Sequence, residues 1–446
     1  MKTQALQFDT LVVGGGIGGL TSALDLADQG YHVAVVEREA SIGGVMIALS
    51  KVFPTLDCAS CITTPRMAAA AHHPNIEILT YTEVKSITRE DSLFRANLVE
   101  KPRYVDEDLC IGCRQCEYVC PVDLPHEFEG NLGARKAIYV PFATAIPQKA
   151  VLDPDNCMLC GSCEKVCPTQ AVDYFQQPKE ITLIAKSVVL ATGFQLTPKD
   201  AKKEYSTPGN VNILTSLQME RLLSPHGPYG RVIRPSDGKV PDSIAYIQCA
   251  GSRDQSLGIS YCSRVCCMYA IKQAMLLSGA LPIADVTIYY MDIRAFGKGY
   301  EEFYQNAKAM GIQFVKAKVA KIIEDEEHNL KLRVELMEED GRVEEQAHDL
   351  VVLSLGMTPG CDPREFIEVG QDDYGFVKCA QPKTAPALTD QEGVFVAGTA
   401  AGPKDIVDTI AKAGSAAMEA ANYMRLMESA SNTSTAVVDQ IESAAG

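Results

Sequence analysis

Eight of the sixteen cysteines fall into two matching runs. Cys110, Cys113, Cys116 and Cys120 form C-x2-C-x2-C-x3-C, followed by Pro121. The same pattern returns 47 residues later at Cys157, Cys160, Cys163 and Cys167, followed by Pro168. Three thiolates on one tight loop, with a fourth from elsewhere, are the donor set of a [4Fe–4S] cubane. In two-cluster ferredoxins the fourth cysteine of each run serves the other cluster. One cluster is therefore expected on Cys110, Cys113, Cys116 and Cys167, and the second on Cys157, Cys160, Cys163 and Cys120. Two structural zinc sites are the rival, but those usually pair separate C-x2-C elements.

A third group is Cys249, Cys262, Cys266 and Cys267, separated by 12, 3 and 0 residues. Three readings are open for it: a third cluster, a redox-active thiol set, or small buried apolar side chains. Cys58 and Cys61 form a further C-x2-C. Two thiols alone cannot hold a cubane, so they are a redox pair, part of a ligand set, or packing. Cys361 and Cys379 stand alone, and packing is the default for both.

A second chemistry sits at the N-terminus. Residues 8–13 read as a buried strand, and Gly14, Gly16 and Gly19 then give G-x-G-x-x-G, with Gly18 inside it. Leu20, Ala23, Leu24, Leu26 and Ala27 share one helix face. A second strand, Tyr31 to Val36, ends at Glu37, 18 residues after Gly19. The glycines allow a tight turn, close backbone approach to a pyrophosphate and close helix–strand packing. The helix N-terminus offers N–H groups to the phosphates, and Glu37 can accept from a ribose hydroxyl.

Later segments favour FAD over NAD. Gly43-Gly44 resembles the loop along the flavin diphosphate in disulfide-reductase-like flavoproteins. Ala191-Thr192-Gly193 resembles their strand-plus-ATG motif. Gly398 ends another strand, and Asp405 is placed like their ribityl-contacting acid. A helix from Ile406 to Met424 would direct its N-terminus at the flavin ring. Arg38, Val84 and Ile406 complete the cofactor-contacting candidates.

These motifs require particular elements. The fold class is α/β: a flavoprotein of two dinucleotide-binding domains, disulfide-reductase-like, with an inserted α+β two-cluster ferredoxin domain of bacterial type. The FAD domain is assigned 1–100, 180–240 and 385–426, and the ferredoxin insert 101–179. Residues 121–156 exceed what a minimal ferredoxin needs, so an extra loop or helix is expected around Glu127 to Ile146. A second nucleotide-binding-like domain is assigned 241–384. After its first strand, Ser243 to Gln248, stands Cys249-Ala250-Gly251-Ser252-Arg253-Asp254 in place of a glycine fingerprint, which argues against nicotinamide there. Residues 427–446, rich in Ser, Ala and Thr, read as a disordered tail.

Together the motifs closely resemble those of the heterodisulfide reductase A-type subunits and their bacterial relatives, over about residues 8–425. The resemblance is carried by the fingerprint, Leu56-Asp57-Cys58-Ala59-Ser60-Cys61, the ferredoxin repeat with Arg135-Lys136-Ala137-Ile138-Tyr139, and Arg234-Pro235-Ser236-Asp237-Gly238. Gln248 to Asp254, Tyr261 to Cys267 and Gly402-Pro403-Lys404-Asp405-Ile406 extend it. It implies that Cys249, Cys262, Cys266 and Cys267 bind a cluster near the flavin. It also implies B- and C-type partner subunits, a donor or acceptor oxidoreductase, and a flavin that relays or bifurcates electrons. A homodimer is compatible with it. Because the fingerprint starts at residue 14 and no cysteine run follows the last set, neither an extra N-terminal cluster domain nor a C-terminal ferredoxin domain is expected. A relay like that of quinone-linked relatives, or a benzoyl-CoA-reductase-type module, stays open. The alternative is a self-contained disulfide or NAD(P)H oxidoreductase using Cys58 and Cys61 as its dithiol.

The bulk numbers agree with a globular protein of 446 residues in two or three domains. A net charge of −16 argues against nucleic acid as a partner. No apolar run is long enough for a membrane span, and the first ten residues lack signal-peptide features. A cytoplasmic location is expected.

Overall fold

Short runs of buried β-branched residues build two sheets, and the ferredoxin-like segment leaves the first of them as an excursion. The computed structural model describes residues 5–444, with side chains described to Ser429. The first sheet runs Ile76–Leu79, Val33–Val36, Leu6–Val13, Lys179–Leu190, Leu93–Glu100, Thr82–Glu90, with Val394–Val396 also pairing to Lys179–Leu190. All four residues of Val33–Val36 are buried, as expected for a strand covered on both faces. Helix α1 (Ile17–Ala27) follows the first strand at once. Helix α2 (Ala59–His72) follows the Gly43-Gly44 loop.

The insert departs after Glu100 and returns at Lys179, and these two residues are direct partners in the antiparallel pair. Its ends therefore meet, which is why 78 intervening residues disturb the sheet so little. Within it, α3 (Gln115–Val119) and α4 (Ser162–Val166) are equal five-residue helices, one after each cysteine loop. Each is entered through a left-handed residue, Arg114 at φ 62° and Gly161 at φ 70°. The extra segment between the copies is a hairpin, Asp123–Pro125 with Ala134–Lys136, around a helical turn at Glu127–Glu129.

The second sheet runs Ile213–Thr215, Leu350–Leu355, Ser243–Ala250, Asp285–Tyr290, Gln313–Glu324, Leu330–Leu336, Arg342–His348. Helices α5 (Ser216–Leu223), α6 (Cys266–Ala280) and α7 (Tyr300–Ala309) pack on it through Met219, Ile271 and Phe303. Residues 213–223 thus belong with the second sheet, not with the first-domain stretch 180–240 assigned from sequence. A three-residue strand carries too little periodicity to reveal which sheet it joins.

Helix α8 (Ile406–Ala444) closes the chain. Ala413, Ala416, Ala417 and Ala420 are buried against Ala23 and Leu26 of α1, and their small side chains let the two helices approach closely. The tail expected to be disordered from Met427 is instead helical through Ala444, and residues 445–446 lie outside the described residues. No Gly or Pro interrupts the stretch from Ser415 to Ala445, so nothing local ends the helix. Among the described residues no helix is long and apolar enough to cross a membrane.

His348 ends the last strand of the second sheet, buried, with Ser243 Oγ 2.7 Å from Nδ1 and the Tyr289 hydroxyl 3.0 Å from Nε2. Burial holds its pKa down to about 4, against smaller upward pulls from Asp349 and Asp285. The unfolded chain protonates its histidines near pH 6.5, so it takes up the proton first, and stability is lost as pH falls below that value. Between pH 7 and 5 this residue should remove about 2 kcal/mol from the unfolding free energy. Urea titrations of the protein and His348→Gln at both pH values should show that loss only in the parent.

Candidate redox centres

The glycine loops close on one another because side chains there would collide. A Cβ on Gly14 (φ 111°) would lie 2.3 Å from the Ala191 carbonyl oxygen, and one on Gly19 would lie 1.9 Å from the Gly14 oxygen. A Cβ on Gly44 would meet Gly16 Cα at 2.8 Å, and Gly43 N–H donates to the Gly15 carbonyl at 2.8 Å. Gly398 (φ 58°) sits over Gly18, their nearest approach being 3.7 Å from a Cβ built on Gly18. The fingerprint, the Gly43-Gly44 loop, Ala191-Thr192-Gly193 and Gly398 thus converge on the start of α1. That helix begins at Gly16 without a side-chain cap, leaving first-turn N–H groups for a ligand.

Glu37 is buried beside this cradle and accepts from Gly15 N–H at 2.7 Å and Glu39 N–H at 3.0 Å. Burial raises its pKa, and the two N–H donors oppose the shift. Arg38 is exposed and pairs with Glu39 at 3.4 Å. Val84 is partly buried against the core of the first sheet. Asp405 is not free: it accepts the Tyr300 hydroxyl at 2.7 Å and caps α8 through Asp408 N–H at 2.8 Å. Its neighbour Ile406 packs against Met46, Val52 and Ala59. The acid expected to reach a ribityl chain also ties α8 to α7 of the second unit.

In the insert, one pocket is lined by Cys110, Cys113, Cys116 and Cys167. A second is lined by Cys120, Cys157, Cys160 and Cys163. Each cavity takes three cysteines from one run and the last from the other. Sulfurs receive donors from the chain: Leu159 N–H to Cys157 at 3.4 Å and Ala171 N–H to Cys167 at 3.3 Å. The Tyr174 hydroxyl lies 3.2 Å from Cys163 Sγ. Burial pushes the Cys116 thiol up to about 12 and raises Cys163 as well. A positively charged iron–sulfur core would favour the thiolate forms at these positions. Four cysteines around each site, three from one run and one from the other, are the donor set that suits a cubane. Ile111, Tyr118, Met158 and Leu159 stand exposed in the two insert copies.

The four later cysteines lie near enough to influence one another electrostatically. Cys249 lies near the end of a central strand, in the left-handed region at φ 57°. Cys262 lies in the following loop, where its sulfur accepts Arg264 N–H at 3.3 Å. Cys266 and Cys267 open α6, whose N-terminus has no side-chain cap. Burial raises Cys249, Cys266 and Cys267, Cys267 to about 11, and the charges of the other members of the set push further in the same direction. The Arg253 guanidinium lies 3.8 Å from Cys249 Sγ and opposes that shift.

Residues 12–54 match the NAD(P)-binding Rossmann-like domain family, and residues 109–172 match the 4Fe-4S dicluster domain family. The A-type subunit of the H(2)/formate:CoB-CoM heterodisulfide,ferredoxin reductase of Methanococcus maripaludis is 49% identical over 415 residues, covering 91% of this chain and 63% of that protein. The first of two A-type iron-sulfur subunits of the CoB--CoM heterodisulfide reductase of Methanopyrus kandleri is 45% identical over 451 residues, covering 98% of this chain and 67% of that protein. This chain belongs to the family of heterodisulfide reductase A-type subunits. It spans between about half and two thirds of the length of the curated relatives it matches, 52% to 67%. In fold it resembles the thioredoxin reductase of T. acidophilum, at 16% identity and a TM-score of 0.54, covering 94% of this chain and 99% of that one. The thioredoxin reductase of Lactococcus lactis is similar at 14% identity and 0.53, with the same two coverages.

Against this family background, sequence spacing signalled some contacts and not others. Cys58 and Cys61 are joined as a disulfide, Cα atoms 5.2 Å apart, at the N-terminus of α2, with Cys61 exposed. Cys379, given only a packing role from sequence, lies 3.3 Å from Lys412 Nζ. Cys361 is partly buried, and Thr192 hydrogen-bonds to it. Arg253 could have been suspected, standing four residues after Cys249. Lys412, 33 residues from its partner in a helix of ordinary composition, could not. The Gly19 contact makes a direct test. Gly19→Ala should weaken flavin retention about tenfold or more, since only a backbone shift relieves the clash. Flavin absorbance per chain after gel filtration measures it, and an unchanged ratio would remove the nucleotide from this cradle.

Proposed function

We propose that this chain is an FAD- and [4Fe–4S]-containing electron-transfer component of a cytoplasmic, heterodisulfide-reductase-like oxidoreductase complex. The observation that carries this reading is the pair of cross-run cysteine cavities held on the same sheet as the glycine cradle. Cys110, Cys113, Cys116 and Cys167 would hold one cluster, and Cys120, Cys157, Cys160 and Cys163 the second. Cys249, Cys262, Cys266 and Cys267 would hold a third. Gly14, Gly16, Gly18 and Gly19 with the N-terminus of α1 would take the FAD diphosphate, and Glu37 the ribose.

When bound, FAD exchanges two electrons and each cubane one, so together they can join a two-electron couple to one-electron carriers. The chain's own contribution is placement and electrostatics. Backbone N–H groups and the Tyr174 hydroxyl stabilise negative charge on sulfur. Arg253 does the same at Cys249. The Asp405–Tyr300 bond holds the start of α8 against the second unit. No side chain here needs to act as acid, base or nucleophile. Exposed Ile111, Tyr118, Met158 and Leu159 in the cluster-binding loops and helix suit docking of partner subunits or an electron carrier. The relatives named above are subunits of heterodisulfide reductases, which favours B- and C-type partners here and leaves relay and bifurcation to be separated.

Anaerobically purified protein should contain about twelve iron atoms per FAD if all three cysteine sets hold cubanes. About eight would leave the ferredoxin pair and exclude a cluster at Cys249.

A second reading, a self-contained disulfide oxidoreductase, draws on the Cys58–Cys61 disulfide. Two electrons and two protons would convert it to two thiols. Labelling with a maleimide after NADH or NADPH addition should then modify both cysteines. Under the first reading, labelling is unchanged by either nucleotide.

A further inference from the structure

The extra hairpin of the insert has no role in either cluster cavity. The insert joins its host at the Glu100–Lys179 strand pair, and just inside that edge buried Arg103 donates to the Ala40 carbonyl at 3.0 Å and to Thr80 Oγ1 at 2.6 Å. Its second anchorage lies along Ser41 and Ile42, where Ile146 N–H donates to Ser41 Oγ at 2.9 Å and Ile42 N–H donates to the Ile146 carbonyl at 3.1 Å. Both anchors are on the first unit. The hairpin supplies a third, and it reaches the second unit.

Glu129, at the tip of the hairpin, is buried and receives a two-pronged bond from Arg221 of α5. Nε lies 2.9 Å from Oε2 and Nη2 3.1 Å from Oε1. The remaining Arg221 nitrogen donates to the Ala48 carbonyl at 3.1 Å, in the turn after the Gly43-Gly44 loop. The guanidinium carbon stacks 4.6 Å from the Phe128 ring, which itself stacks on Phe142 at 4.6 Å. Gln218, one turn earlier, donates to the Gly130 carbonyl at 2.8 Å.

The preceding residue points elsewhere, because consecutive helical side chains are about 100° apart. Glu220 is buried and accepts Ser50 N–H at 3.0 Å and Ser50 Oγ–H at 2.6 Å. Its other oxygen pairs with Lys272 and Gln273 of α6, the helix that opens with Cys266 and Cys267. Two neighbouring residues on one short helix therefore contact the ferredoxin insert, the nucleotide loop and the helix of the third cysteine set.

Buried ion pairs are poor stabilisers compared with apolar packing, yet they demand strict geometry. We infer that Glu220 and Arg221 form a brace that sets the positions of the three cofactor-binding regions. Arg221, through Glu129, is a positioning residue for electron transfer between flavin and the ferredoxin clusters. This rests on the electron-transfer reading above.

The test uses the full chain loaded with its cofactors. Flavin and iron content checks the underlying reading and should be the same in wild type and Arg221→Met. Amide hydrogen exchange of residues 126–133 should then rise about tenfold or more in the variant. After stopped-flow mixing with limiting dithionite, electrons should redistribute between the flavin and cluster absorbance bands about tenfold or more slowly. The charge exchange Arg221→Glu with Glu129→Arg should recover part of both changes. Unchanged exchange and redistribution in a loaded variant would overturn the brace. Loss of flavin and iron from wild type would instead overturn the reading beneath it. If Arg221→Met does not fold, Phe128→Leu removes the stacked ring without stranding a charge, and the same two outcomes decide.

Discussion

The architecture depends on one strand pair. Glu100 lies opposite Lys179, so the chain can leave a sheet, build a separate cysteine-rich module and re-enter the same sheet one strand over. The returning strand, Lys179–Leu190, is then central: it pairs parallel with Leu6–Val13 and with Val394–Val396, and ends at Ala191-Thr192-Gly193 against the fingerprint. The residue that closes the insert thus begins the strand that helps build the nucleotide cradle. Two cofactor regions are coupled in space because they are coupled along the backbone.

A second constraint is the space that glycine leaves. Gly14, Gly19 and Gly44 are sites where any Cβ would collide with backbone, so three loops from distant parts of the chain can touch. In the insert the equivalent device is positive φ at Arg114 and Gly161, which turns each cysteine loop into its short helix. Repetition of that geometry places three sulfurs on each side and lets the last cysteine of each run cross over.

Several buried charges sit where separate parts of the chain meet. Glu220 and Arg221 link the insert, the nucleotide loop and α6. Asp405, partly buried, links α8 to α7. Glu37 binds the fingerprint turn to the end of its own strand. Such contacts cost desolvation, and at a boundary between units a wrong alignment would leave a charge unpaired.

Much of this was legible locally. The two cysteine runs, the strand–glycine–helix opening and the fingerprint acid announce themselves by spacing, because each is dictated by chemistry within a few residues. The family and the α/β class follow from those motifs taken together. Other features were beyond local reading. Ile213–Thr215 joined the second sheet, and the last helix ran past Met427, because neither partner choice nor helix length is encoded in a short window. The Lys412 contact to Cys379 depends on which elements pack together. The sequence by itself determined the cysteine runs and the glycine loops, since their spacing needs only neighbouring residues. Only the tertiary structure decided how the three regions face one another, because Glu129–Arg221 and Glu220–Lys272 join residues 92 and 52 positions apart and have no signature until the chain has folded.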